Sequence, residues 1–180
     1  MYKKTLFITV FLALFLAPLT GYSESGKFGL GVRGGLYKST DADSYKVYGG
    51  VQARWRVFPA MSLEGTFDYR SSESYPDNTK VTSYPILASA LFYLIPGAKI
   101  SPYLLGGLGW YYSKIEDSSG SSTTNKPGIH LGGGLDIPLS PDISFNADLR
   151  YYFLDYNDQK LRDLKTNGFI ISAGITFYLW

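Results

Sequence analysis

Ile143-Ser144-Phe145-Asn146-Ala147-Asp148-Leu149-Arg150-Tyr151-Tyr152-Phe153 changes character at almost every step. Ile143, Phe145, Ala147, Leu149, Tyr151 and Phe153 fall on one phase. Ser144, Asn146, Asp148, Arg150 and Tyr152 fall on the other. Successive side chains of a β-strand point to opposite faces, whereas a helix groups its apolar residues three or four apart. The stretch therefore reads as a strand with one apolar and one polar face.

The same period runs outward in both directions. Upstream, Met61, Leu63, Gly65, Phe67 and Tyr69 alternate with Ser62, Glu64, Thr66, Asp68 and Arg70. Val47, Val51, Ala53, Trp55 and Val57 alternate with Tyr48, Gln52, Arg54 and Arg56. Phe28, Leu30, Val32 and Leu36 alternate with Gly29, Gly31, Arg33 and Gly35. Ile129, Leu131, Leu135 and Ile137 alternate with His130, Gly132, Gly134 and Asp136. Downstream, Phe169, Ile171, Ala173, Ile175, Phe177 and Leu179 alternate with Ser172, Gly174, Thr176 and Tyr178. Two further strands lack a readable phase. Ser83 to Leu94 is apolar on both, and Tyr103 to Ile115 carries glycines on both.

The breaks between strands are of two kinds, and they alternate. Phe58-Pro59-Ala60, Ile95 to Ser101 and Ser140-Pro141-Asp142 are tight and carry proline. Ser39 to Tyr45, Ser72 to Lys80, Glu116 to Pro127 and Asp155 to Asn167 are longer and polar. The expected fold is all-β: an eight-stranded, antiparallel, up-and-down transmembrane β-barrel. Such barrels have short periplasmic turns and longer extracellular loops. The loops centred on Asp43, Asp77, Ser121 and Lys160 are thus expected outside the cell. A strand of ~11 residues rising ~3.3 Å each at ~40° tilt spans roughly 28 Å, enough for an apolar band of ~25 Å.

Residues 1–23 form a separate unit, with a boundary at residue 25 as the alternative. Lys3 and Lys4 precede an apolar run from Leu6 to Ala17, and small and polar residues follow. This is the layout of a cleaved signal peptide. The run is too short for a spanning helix, which needs roughly 20 residues. With no Cys in the chain, a lipoprotein, a disulfide framework and a thiolate metal site are all excluded. Residues 24–180 are then the barrel, exported to the outer membrane.

Composition agrees with a wall between lipid and lumen. Aromatics are 17% and glycines number 20, yet only 45% of the chain is apolar. A soluble sandwich or a lipocalin-like barrel would also alternate. Here, however, the polar phase is rich in Gly, Ser and Thr as well as charge, as a narrow lumen requires. Trp55, Tyr69, Tyr84, Tyr151, Phe169 and Phe177 sit near strand ends, where an aromatic girdle lies. A net charge of +2, from 17 basic and 15 acidic residues, gives no case for a nucleic-acid partner.

Ser83-Tyr84-Pro85-Ile86 through Leu94, then Ser101-Pro102-Tyr103-Leu104-Leu105-Gly106-Gly107-Leu108-Gly109-Trp110-Tyr111, resembles the OmpA-like and OmpX-like outer-membrane β-barrel family. The closing Ala173-Gly174-Ile175-Thr176-Phe177-Tyr178-Leu179-Trp180 resembles that family's terminal strand. The resemblance implies that Phe177, Leu179 and Trp180 carry the signal read by the barrel-assembly machinery. It also implies outer-membrane lipids and lipopolysaccharide as surroundings. The chain is expected to act as a monomer, with no cofactor and no catalytic role.

Three sets of residues are candidates for chemistry. Gly29-Leu30-Gly31-Val32-Arg33-Gly34 matches a dinucleotide-binding pattern, but no helix begins there. Its glycines read instead as positions where the wall approaches lumen side chains. His130, the single histidine, is expected in the lumen near the outer rim. It is a candidate general base with Ser113 and Asp117, as a lipid A-modifying enzyme would need, or else a hydrogen-bonded lumen residue; alone it is a poor metal site. Arg33, Arg54, Arg56, Glu64, Asp68, Arg70, Asp136, Asp148 and Arg150 are the expected polar lumen. Eight strands leave an interior only wide enough for side chains, so these charges must pair. Arg33, Asp68, Asp148 and Arg150 are expected to form one layer near mid-height. The lumen is read as a plug, and the alternative is passage of small solutes through it or, for apolar ones, through a lateral gap.

Overall fold

The computed structural model describes residues 25–40, 44–74, 80–117, 120–154 and 167–179. Eight strands follow one another: β1 Phe28–Ser39, β2 Lys46–Phe58, β3 Met61–Ser74, β4 Lys80–Tyr93, β5 Ser101–Asp117, β6 Gly120–Ser140, β7 Ile143–Phe153 and β8 Gly168–Tyr178. Each pairs antiparallel with its sequence neighbours, and β8 returns to β1 to close a barrel. Closure leaves no sheet edge within the wall, the condition for backbone polar groups in hydrocarbon. Among the described residues no helix is long and apolar enough to cross a membrane. The proposed signal segment and Trp180 lie outside the described residues.

The barrel is strongly sheared. From Val32, partners run through Val51, Phe67, Ile86 and Trp110 to Pro127 on β6. In the other direction they run through Ile175 and Phe145 to Ile137 on the same strand. The two walks meet β6 ten residues apart. Strands therefore tilt, and residues level in the lumen are not level in the ladder.

Alternation sorts the faces as expected. Val32, Val51, Phe67, Leu108, Leu131 and Ile171 are exposed apolar side chains on the outer wall. An apolar belt this continuous exceeds the patches of soluble monomers and suits a hydrocarbon solvent. Tyr69 and Tyr84 meet across the β3–β4 seam with ring centroids 5.4 Å apart, and Tyr151 contacts Phe169 at 4.8 Å. The two unphased strands are resolved: Leu87, Ser89, Leu91 and Tyr93 of β4 and Tyr103, Leu105, Tyr111 and Ser113 of β5 face inward.

One expectation is corrected. Most of the loop expected at Glu116 to Pro127 is paired strand, and the ladder runs up to Asp117 opposite Gly120. Ser121, Ser122, Thr123 and Thr124 on the β6 arm lie opposite Glu116, Ile115, Lys114 and Ser113 on the β5 arm, and the threonines are β-formers. On its other side β6 pairs with β7 from Ile129 onward, while the β5 arm stays paired with β4 as far as Glu116 opposite Lys80. At the opposite end the connections are tight, and Gly97 in the β4–β5 turn takes a φ of 75° that favours glycine.

Candidate functional site: the lumen

The inward phase collects all nine expected charged residues. Eight are buried: Arg33, Arg54, Glu64, Asp68, Arg70, Asp136, Asp148 and Arg150. Arg56 keeps 21% of its side chain exposed, at the short-turn end. No group of His, Asp and Glu among the described residues is arranged to hold a metal ion.

Eight of the nine form one continuous chain of ion pairs. Arg56 meets Asp136 at 3.3 Å, and Asp136 meets Arg54 at 3.4 Å. Arg54 Nε donates to Glu64 at 2.7 Å, and Arg150 donates to the other Glu64 oxygen at 2.8 Å. Arg150 also holds Asp148 at 2.6 Å. Arg33 lies 3.5 Å from Glu64, 3.6 Å from Asp68 and 4.0 Å from Asp148. Arg33, Asp68, Asp148 and Arg150 are thus joined to one another by ion pairs. Their hub, Glu64, was not expected there, because the hub depends on barrel shear and no local pattern carries that.

Neutral groups complete the acids. Ser172 Oγ donates to Asp148 at 2.6 Å and Tyr103 OH donates to it at 3.1 Å. Ser144 Oγ donates to Asp136 at 2.9 Å. Gln52 donates to Thr176 Oγ1 at 2.8 Å, filling the space beside β8. Buried charges survive only when paired and hydrogen-bonded in this way.

Aromatic layers close both ends of the charge chain, and sequence reading missed them. Tyr37, Tyr48, Leu87, Tyr111, Tyr152, Leu154 and Ile170 pack together toward the long-loop end. Leu91, Tyr93, Tyr103 and Leu105 pack toward the short-turn end. Parity with Arg33 could have flagged Tyr37. Glycine makes room for the rings: a Cβ at Gly134 would lie 2.7 Å from the Tyr103 ring. At the short-turn mouth, Arg56, Tyr93, Pro59, Pro96 and Pro138 line a recess of about 20 Å³, space for about one water.

His130 is buried in the lumen, opposite Gly107 on β5 and opposite Tyr152, one residue from the end of β7. Its Nε2 shares a 2.9 Å hydrogen bond with Ser89 Oγ on β4. Ser113 bonds Ser83 at 2.9 Å instead of His130. The side chain of Asp117 lies outside the described residues.

Residues 7–177 match the family model described as outer membrane protein beta-barrel domain. No curated protein sequence matches the chain. Among solved structures, Neisserial surface protein A is similar at a TM-score of 0.64 and 18% identity, covering 85% of this chain and 97% of that one. The N-terminal β-barrel domain of Pseudomonas aeruginosa OprF is similar at 0.61 and 14%, covering 86% and 100%. Ail, the attachment invasion locus protein of Yersinia pestis, is similar at 0.57 and 16%, covering 87% and 100%. At these identities the likeness is one of fold.

Proposed function

The chain belongs to the outer membrane β-barrel family, and from that premise we propose that it sits in the outer membrane as a closed, plugged barrel with a structural or cell-surface role. One observation carries the reading: the ion-pair chain from Asp68 through Arg33, Asp148, Arg150, Glu64, Arg54 and Asp136 to Arg56 crosses the lumen without a break. An ion entering would have to displace charged groups that are paired with one another out of water. Work is left to the outer wall, in contact with lipid and lipopolysaccharide, and to the β5–β6 hairpin at the long-loop end. On this reading Phe177 and Leu179, both on the outer face near the short-turn end, serve assembly together with Trp180, and the barrel acts as a monomer without catalysis. Purified protein in planar bilayers tests the plug. Wild type should give no steady conductance, and a stable open level would overturn it.

A second reading, lateral passage of apolar solutes, has one observation in its favour. The β3–β4 ladder is interrupted between the pairs Phe67–Ile86 and Arg70–Ser83. Pro85 lies in the gap, and it has no N–H to give. Uptake of a small apolar dye into proteoliposomes, lost on cross-linking Tyr69→Cys to Tyr84→Cys, would favour this reading over the first.

A further inference from the structure

The layer that closes the long-loop end of the lumen is not explained by the ion-pair chain. Four alternate strands each contribute one inward residue to it: Tyr37 from β1, Arg70 from β3, Tyr111 from β5 and Tyr152 from β7. The Arg70 guanidinium carbon lies 5.3 Å from the Tyr37 ring centroid, 5.2 Å from Tyr111 and 5.1 Å from Tyr152. All four residues are at most 2% exposed.

Arg70 differs from the other lumen arginines in making no ion pair with a described carboxylate, although Asp68 on the same strand is near enough to act on it electrostatically. Its Nε and one Nη, like Arg33 Nε and Nη1, meet no acceptor. Three π faces take the place of an anion, an arrangement suited to a weakly hydrated planar cation. The rings are braced without it. Tyr152 OH bonds Ser39 Oγ at 2.9 Å, Tyr37 stands edge-on to Tyr48 at 6.4 Å, and Tyr111 and Tyr152 stack at 6.2 Å. Gly109 and Gly128 leave the space in which the Tyr111 ring lies, since a Cβ at either would strike it. Each ring therefore has neighbours of its own besides Arg70.

We propose that Tyr37, Tyr111 and Tyr152 form a preformed aromatic box for a small organic cation, filled by the chain's own Arg70, and that removing this side chain leaves a site for an exogenous guanidinium or methylammonium group. The outer lumen is then a cation-recognition site closed from within, distinct from the ion-pair plug beneath it.

The test uses Arg70→Ala barrel in detergent, with methylguanidinium as the probe and N-methylurea as its uncharged isostere. The variant should unfold at a lower temperature than wild type. Millimolar methylguanidinium should raise its midpoint in a saturable way, with an apparent Kd roughly tenfold or more below that for N-methylurea. Tyr111→Leu added to Arg70→Ala should abolish the difference between the two probes. Equal response to both probes, no response to either, or a response that survives Tyr111→Leu would each overturn the proposal. If Arg70→Ala does not fold, folding yield replaces the midpoint. Recovery by methylguanidinium and not by N-methylurea supports the box, and no recovery refutes it.

Discussion

Glu64→Ala is the sharpest perturbation of the plug. Glu64 is fully buried and holds Arg54 at 2.7 Å, Arg150 at 2.8 Å and Arg33 at 3.5 Å. Each of these arginines keeps a second acid: Asp136 at 3.4 Å, Asp148 at 2.6 Å and Asp68 at 3.6 Å respectively. The substitution therefore strands no guanidinium outright. It does leave Arg33, Arg54, Arg56, Arg70 and Arg150 facing only Asp68, Asp136 and Asp148. Breaking a buried pair costs ~3–5 kcal/mol, and the retained acids place this case near the lower end, about 3 kcal/mol. With a urea slope of about 2 kcal/mol/M, the unfolding midpoint should fall by roughly 1.5 M. Arg150→Met alone should cost a similar amount, because it leaves Glu64 and Asp148 underpaired. The double variant should cost less than the sum by about 1–3 kcal/mol. Equilibrium urea titration of the four proteins in the same detergent measures the coupling. A midpoint shift below about 0.5 M with additive effects would mean that the lumen is solvated and that these pairs do not clamp it.

Three further outcomes follow from the same geometry. Phe67→Arg, on the lipid-facing phase, should cost ~2–4 kcal/mol of folding stability in bilayers, whereas Thr66→Asn, one residue away in the lumen, should cost far less; equal costs would mean that the faces are reversed. Gly134→Ala should destabilise by ~1–3 kcal/mol in thermal unfolding, because its Cβ would strike the Ala147 carbonyl as well as the Asp148 side chain and the Tyr103 ring, and Tyr103→Leu in the same chain should recover only the part due to the ring. A cysteine at Ser121, near the tip of the β5–β6 hairpin, should react with an impermeant maleimide on intact cells, while one at Pro59 should not; the reverse pattern would invert the barrel in the membrane.

The sequence was most informative where the lumen is polar. Arg33, Arg54, Glu64, Asp68, Asp148 and Arg150 stand on a phase whose neighbours are aliphatic or aromatic, and a period of two is enough to turn them inward. The same code fails on β4 and β5, because there the lumen itself is apolar. Leu87, Leu91, Leu105 and Tyr111 are as buried inside as Ile86, Leu104 and Leu108 are exposed outside. An alternation of Leu with Leu carries no phase.

What joins distant strands was hidden for a different reason. The ten-residue offset between the two walks around the barrel is a property of closure, and no single strand encodes it. Counting positions from each strand's start ignores that offset. It still grouped Arg33 with Asp68 and Asp148, because long arginine side chains reach across the error. It missed Glu64, whose central place depends on β1, β2, β3 and β7 together. The aromatic box was out of reach for the same reason. Tyr37, Arg70, Tyr111 and Tyr152 look unrelated along the chain, and only the tilt of four alternate strands brings them to one height. Local alternation thus determines which way each side chain points in this barrel, and closure determines which side chains meet. A site whose members come from alternate strands is legible only after both are known.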